Sequence, residues 1–154
     1  MSTEKEDIKG LTILGSPTQP SKKLEAFPNR APGRYYLVSL HTSEFTCLCP
    51  MTGQPDFATI HVDYVPDQKV VESKSFKLYL WSYRNEGAFH EHVVNQILDD
   101  LQKVVDAHWI RVSGEFNVRG GIGIKVESEH TRTPEAKLQW INRSTGITTT
   151  SERE

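Results

Sequence analysis

The segment FTCLCPMTGQPDFA, residues 45–58, concentrates two thiols, Cys47 and Cys49, and one carboxylate, Asp56, around turn-forming Pro50, Gly53 and Pro55. A thiol becomes a nucleophile when its pKa is lowered or a base lies near, and whatever it attacks needs an acid to take up the charge that develops. Cys49 and Asp56 can fill those two roles if the loop folds back. Composition alone fits equally well a small buried cysteine and an aspartate that caps a turn. Cys47 and Cys49 would share one face of an extended chain, and three functional readings compete: a redox pair, two thiolate ligands for zinc, or one nucleophile with a bystander. Zinc needs further ligands, which His90 and His92 of FHEH could provide, but CxC is tighter than the usual structural-zinc knuckle. The bystander reading is the simplest.

Two further clusters carry polar chemistry. FHEH, residues 89–92, starts a strongly periodic helix and sends His90 and Glu91 toward its flank or entrance, where a glutamate can accept paired N–H donors and a histidine can donate or shuttle a proton. A glutamate favoured by the helix dipole accounts for the same residues without a ligand. ESKSFK, residues 72–77, separates Lys74 and Lys77 by three, so that a helix puts both ammonium groups on nearly one side; with Arg119 of RGG they could hold phosphates, or simply face solvent. RGGIGI is not the dinucleotide fingerprint, since it lacks the GxGxxG spacing and precedes a strand. The chain also lacks GxxxxGK[ST], so a Rossmann domain and a P-loop NTPase are both excluded.

The elements that must position these groups follow from periodicity. YYLVSLH at 35–41 and FATIHVDYV at 57–65 read as strands, the second with Ala58, Ile60, Val62 and Tyr64 on one face. Phe76, Tyr79, Leu80 and Tyr83 have helical spacing, and Phe89, Val93, Val94, Ile97, Leu98, Leu101, Val104 and Val105 form one apolar helical stripe over 89–105. WIRVSGEF from Trp109 and IGIKV at 122–126 alternate as strands, joined through NVRGG as a hairpin. The order strand, strand, helix, helix, strand, strand predicts a two-layer α+β domain, a four-stranded antiparallel sheet covered by two helices. Its two open edges predict pairing with another subunit. Residues 1–34, with four prolines between 16 and 34, are expected to form an irregular arm; 35–126 the single folded domain; and 127–154, polar and threonine-rich with Trp140 and Ile141 as anchors, a partly ordered extension.

A length of 154 residues suits one domain, and 18 Lys plus Arg against 20 Asp plus Glu, a formal charge of −2, argue against a surface that tracks nucleic acid. No apolar run approaches the roughly 20 residues that cross a bilayer, and the start MSTEKEDIKG lacks the order of a secretory signal, so a cytoplasmic location is expected.

FTCLCPMTGQPDFA, VESKSFKLYLWSYRN, FHEHVVNQIL and VRGGI together resemble the short, single-domain form of the NADPH-dependent 7-cyano-7-deazaguanine reductases, the nitrile reductases of queuosine biosynthesis, over about residues 30–125. ESKSFK matches that family's signature. The resemblance implies the tunnelling fold, in which ββααββ subunits assemble into rings with active sites between subunits. It implies that Cys49 attacks the nitrile carbon to give a thioimide, that Asp56 donates the proton, and that NADPH supplies hydride on the way to 7-aminomethyl-7-deazaguanine, with no metal. Val71, Glu72, Ser73, His90 and Glu91 are implied to bind the deazaguanine, and Lys74, Lys77 and Arg119 to receive NADPH phosphates. Cys47 departs from the family pattern, where a hydroxyl or small residue is common, which raises an oxidised pairing with Cys49 as an off switch. The competing readings are a zinc cyclohydrolase on the same fold and a noncatalytic purine-binding or redox module.

Overall fold

In the computed structural model, which describes residues 4–144, the chain opens with a one-turn helix α1 (Lys5–Ile8) and a short strand β1 (Ala26–Pro28). The hairpin of β2 (Val38–Leu48) and β3 (Pro55–Val65) follows, then a short β4 (Lys69–Val71). Helix α2 (Ser73–Trp81) runs into a 3-10 turn (Ser82–Asn85), and α3 (His90–Val105) comes next. The second hairpin, β5 (Trp109–Arg119) and β6 (Ile122–Thr131), leads to α4 (Pro134–Ser144). The four long strands pair antiparallel in the order β2-β3-β5-β6, while β1 pairs with β4. This is the expected α+β order. A strict period of two on β3 buries Asp56, Ala58, Ile60, Val62 and Tyr64 and turns the alternate residues outward.

On that buried face lie α2 and α3. Val93, Val94, Ile97, Leu98, Leu101 and Val105 of α3 join Phe76, Tyr79 and Leu80 of α2 over Ile60, Val62, Ile110 and Val112. Gly114 lets α3 ride close to the sheet, since a Cβ there would lie 2.8 Å from Val94 Cγ2. Phe89 leaves the expected stripe. It precedes the first helical turn, where helical spacing no longer fixes its direction, and is 53% exposed.

The strands reach further than alternation alone indicated. β2 continues through Cys47 to Leu48 across an irregularity between Thr42 and Phe45, and β3 begins at Pro55, so only 49–54 remain as the connection. Cross-strand pairing extends both strands into a segment whose prolines and glycine had the look of a loop. β6 runs past 126 to Thr131 because an exposed edge strand accepts polar residues on both faces and so carries no apolar alternation. The arm is not wholly irregular. Ala26–Pro28 pairs with Lys69–Val71, a ladder too short to leave a periodic signal, and Pro28 at its end needs no N–H partner. Within the polar C-terminal stretch, α4 sets Ala136 and Trp140 against Val65, Trp109, Tyr35 and Leu37, on the sheet face away from α2 and α3. Residues 145–154, the threonine-rich end, lie outside the described residues, as does the Ile141 side chain. No helix among the described residues is long and apolar enough to cross a membrane.

Candidate active site

The six residues between β2 and β3 fold into a closed turn: the Cys49 N–H donates to the Gln54 carbonyl (2.8 Å), and the Gly53 N–H to the Cys49 carbonyl (2.9 Å). Gly53 takes φ 68°, a conformation that a side chain would strain. This turn brings the Thr52 hydroxyl and the Thr52 and Met51 N–H groups onto the Cys49 sulfur. With Arg119 nearby they hold its pKa down at about 7, as a concave nest of donors does for any anion. Cys47 behaves in the opposite way. It is fully buried, and burial, together with the charge of Asp56 across the hairpin, pushes its thiol up to about 11. One thiol is poised to ionise near neutrality and the other is kept as a small apolar group.

Asp56, the second residue of β3, faces the helices and is only 4% exposed. Three elements converge on it. Arg119 donates from Nη1 to one carboxylate oxygen, and its Nη2 donates to Gln54 Oε1 at 2.6 Å. His90 Nε2 stands 3.3 Å from the other oxygen, with its ring stacked flat on Phe116 (centroids 3.8 Å apart, planes 8° apart). Arg119 reaches this point because the β5–β6 register shifts between Phe116 and Arg119, just before a tight turn at Gly120 and Gly121, both at positive φ. Such irregularities re-aim side chains beside functional sites.

The N-terminus of α3 is tied directly to the cysteine turn. Leu48 donates to the Glu86 carbonyl (2.8 Å) and accepts from the Ala88 N–H (3.0 Å), and Gly87 lies so close that a Cβ would be 3.1 Å from Pro50 Cα. His90 and the exposed Glu91 thereby share one end of the sheet with Cys49, Asp56 and Arg119.

Val71, Glu72 and Ser73 lie elsewhere. The Val71 N–H donates to the Tyr64 hydroxyl (3.1 Å), and Tyr64 is eight residues along β3 from Asp56, roughly 26 Å at the rise of an extended strand. The buried Glu72 carboxylate caps α2, accepting from the Lys74 N–H (2.8 Å) and the Ser75 N–H (2.7 Å), while Ser73 is exposed. Lys74 Nζ donates to the Ser16 carbonyl of the arm (2.6 Å). Ser73 and Lys77 line a groove of about 680 Å³ beside the open edge of β2, together with Arg84 and the exposed rings of Phe57 and Trp81. Thus Val71 and Glu72 lie toward the Tyr64 end of the sheet, Ser73 and Lys77 line the groove that runs along β2, and Arg119 is in the Cys49 set, apart from Lys74 and Lys77. His92 packs edge-on against Phe89 (5.7 Å), and among the described residues no three His, Cys, Asp or Glu side chains gather as metal donors.

A family profile described as QueF-like protein matches residues 55–135. The NADPH-dependent 7-cyano-7-deazaguanine reductase of Syntrophus aciditrophicus is 58% identical over 131 residues, which are 85% of this chain and 94% of that one. The chain belongs to this QueF-like reductase family. The enzyme of the same name from Thermomicrobium roseum is 57% identical over 119 residues, 77% of this chain and 93% of its own. The fold is shared more widely: the apo archaeosine synthase QueF-Like superposes with a TM-score of 0.58 at 25% identity, over 62% of this chain and 93% of that one. That neighbour accords with the tunnelling arrangement of sheet and helices. These relatives do not favour a hydrolytic zinc enzyme or a noncatalytic module.

In this QueF-like reductase three residues contribute that sequence spacing did not single out for the site. Thr52 supplies the hydroxyl that most lowers the Cys49 pKa, Gln54 Oε1 accepts from the second terminal nitrogen of Arg119, and Phe116 supports the His90 ring. Phe116 was legible as a buried residue on the alternating face of β5, but nothing local names His90 as its partner. Thr52 and Gln54 carry no periodic signal, and only the closed turn gives them a role.

Proposed function

We propose that this protein reduces the nitrile of 7-cyano-7-deazaguanine to the primary amine 7-aminomethyl-7-deazaguanine with NADPH, through a covalent thioimide on Cys49, as a step of queuosine biosynthesis. The observation that carries the reading is a thiol with a pKa of about 7 at the same strand end as a buried carboxyl, Asp56, that contacts both a histidine and an arginine. A nitrile carbon is a modest electrophile, so covalent capture fixes its position and creates a C=N bond that protonation can activate. In the capture step the Cys49 sulfur bonds to the nitrile carbon, one π pair of the triple bond moves to nitrogen, and Asp56 delivers the proton to that nitrogen. His90, anchored flat on Phe116, orients the carboxyl and borders the reacting group, and Glu91 offers an exposed carboxylate to the N–H edge of the heterocycle.

NADPH fits the groove beside β2, where Lys77 and Arg84 offer cations for phosphates and the exposed rings of Phe57 and Trp81 offer apolar faces, with Lys74 near the start of the same helix. Each NADPH bound there would supply one hydride, so two molecules in succession would be consumed in taking the carbon from nitrile to amine. The reading places the reaction in the cytoplasm, where reduced dinucleotide is maintained.

Because Val71 and Glu72 lie toward the Tyr64 end of β3, and Tyr64 is roughly 26 Å along the strand from Asp56, they can border the same deazaguanine only if a second copy presents them. The free edges of β2 and β6 offer the pairing surfaces for such a homo-oligomer with sites between subunits. A light-scattering mass equal to one chain would refute that arrangement. The activity is tested by following NADPH absorbance with the nitrile and by intact-mass detection of the adduct in parent and Cys49→Ala. Loss of both signals in the variant is expected; undiminished NADPH oxidation by Cys49→Ala would overturn the mechanism.

A further inference from the structure

We infer that Arg119 serves the covalent step as a positioning residue for Asp56, rather than anchoring a dinucleotide phosphate. The inference rests on the functional reading above and assigns one more residue to it. Arg119 has its two terminal nitrogens already committed within the Cys49 site, Nη1 to Asp56 and Nη2 to Gln54. Gln54 belongs to the turn that carries Cys49, and Arg119 lies within hydrogen-bonding reach of the Cys49 sulfur. The guanidinium therefore ties the acid, the nucleophile and the turn into one unit. Its backbone is held for the purpose, with an irregularity in the ladder immediately before it and a glycine pair immediately after. Lys74 and Lys77 sit on α2, one bonded to the arm and the other lining the groove, so the three cations do not form one phosphate cradle.

The proton balance gives this placement a purpose. The thiol proton of Cys49 passes to Asp56, the resulting thiolate attacks the nitrile carbon, and the nitrogen that receives the π pair takes the proton back from Asp56. Nothing is oxidised or reduced in this step, and the net change is transfer of the thiol hydrogen to nitrogen. Negative charge leaves sulfur and returns to the Asp56 carboxylate as the C–S bond forms. A fixed guanidinium on that carboxylate, itself only 4% exposed, is a donor aimed at the charge that develops late in the step. His90 on the opposite oxygen completes the frame.

The two roles for Arg119 separate experimentally because adduct formation needs the nitrile but no NADPH. Arg119→Met and Arg119→Lys are compared with the parent by single-turnover intact-mass measurement of the adduct over a pH range, and by KM for NADPH in steady state. The expected result for Arg119→Met is adduct formation slowed about 10- to 100-fold, the scale of one charge-assisted hydrogen bond, with KM for NADPH within about twofold of the parent. Arg119 adds to the Thr52 and Met51 donors that lower the Cys49 pKa, so without the guanidinium the rise of the rate with pH moves to higher pH. Guanidinium chloride at a sub-denaturing concentration should restore part of the rate. Arg119→Lys keeps the charge but cannot span Asp56 and Gln54, and a smaller loss is expected; it carries the test by itself if Arg119→Met does not fold. Adduct formation at the parent rate and pH profile, with only KM for NADPH raised, overturns this inference and leaves the nitrile chemistry standing. Failure of the parent itself to form an adduct overturns both.

Discussion

Replacing Thr52 by valine keeps the shape of the side chain and deletes the hydroxyl that does most to hold down the Cys49 pKa. The parent thiol, at about 7 instead of the ordinary 9.0, is about half ionised at pH 7, whereas a thiol at 9.0 would be about 1% ionised there. Complete loss of the shift would cut the thiolate roughly 50-fold. A more basic thiolate is intrinsically more nucleophilic, and a Brønsted slope of about 0.4–0.5 over two units returns roughly eightfold, leaving a net drop of about sixfold at pH 7. The Met51 and Thr52 N–H groups and Arg119 persist in Thr52→Val, so the expected midpoint lies between 7 and 9 and the drop at pH 7 stays within that sixfold ceiling. Thr52→Ser retains the donor and should track the parent. The assay is iodoacetamide alkylation followed by intact mass from pH 5.5 to 9.5; Cys47, buried and at about 11, stays unlabelled over most of that range and reports any unfolding. A midpoint for Thr52→Val equal to the parent's, or a parent midpoint near 9, would refute the assignment of the turn as a thiolate nest.

Three other outcomes follow from the packing. Gly114→Ala puts a methyl 2.8 Å from Val94 Cγ2 and 3.1 Å from Phe116 Cε2, so it should destabilise the fold by about 1–3 kcal/mol in urea titration; an unchanged midpoint would mean that α3 is free to lift from the sheet. Gly87→Ala forces the α3 entry away from the Pro50 backbone and should slow adduct formation on the order of tenfold with little change in melting temperature, a split that steady-state and thermal measurements separate. For Glu25, burial opposes ionisation, but Lys23, the Thr12 hydroxyl and the Thr12 and Ile13 N–H groups hold its pKa at about 2 against an ordinary 4.5. A carboxyl depressed in the folded state contributes stability that is complete above 4.5 and lost as pH falls toward 2. Glu25→Gln should therefore flatten the fall of the urea midpoint across that window, and an equally steep fall in both proteins would show that the arm is not held by this charge.

Much of the fold could be read from periodicity because β3 and α3 each bury one face, and a buried face imposes its period on the residues. Ala58, Ile60, Val62 and Tyr64 on the strand and the Val93 to Val105 stripe on the helix are of this kind. What escaped was structure without a buried face. β6 past 126 is an exposed edge, β1 spans three residues, and α4 buries chiefly Ala136 and Trp140. The cysteine connection was misjudged in extent for a related reason: the ladder bonds that carry β2 through Cys47 depend on β3 and not on the residues' own preferences.

The residues of the candidate site divide along the same line. Motifs in the sequence alone determined the family and drew attention to a thiol, a carboxylate, a histidine and an arginine, since those are matters of residue type and local spacing. The tertiary structure alone decided which of two nearly adjacent cysteines has its pKa lowered, because ionisation depends on burial and on donors the turn delivers. It also decided that Asp56, His90 and Arg119, far apart in the chain, meet at one point while Val71 to Ser73 do not. Strand pairing and helix packing set those distances, and neither is local to any motif.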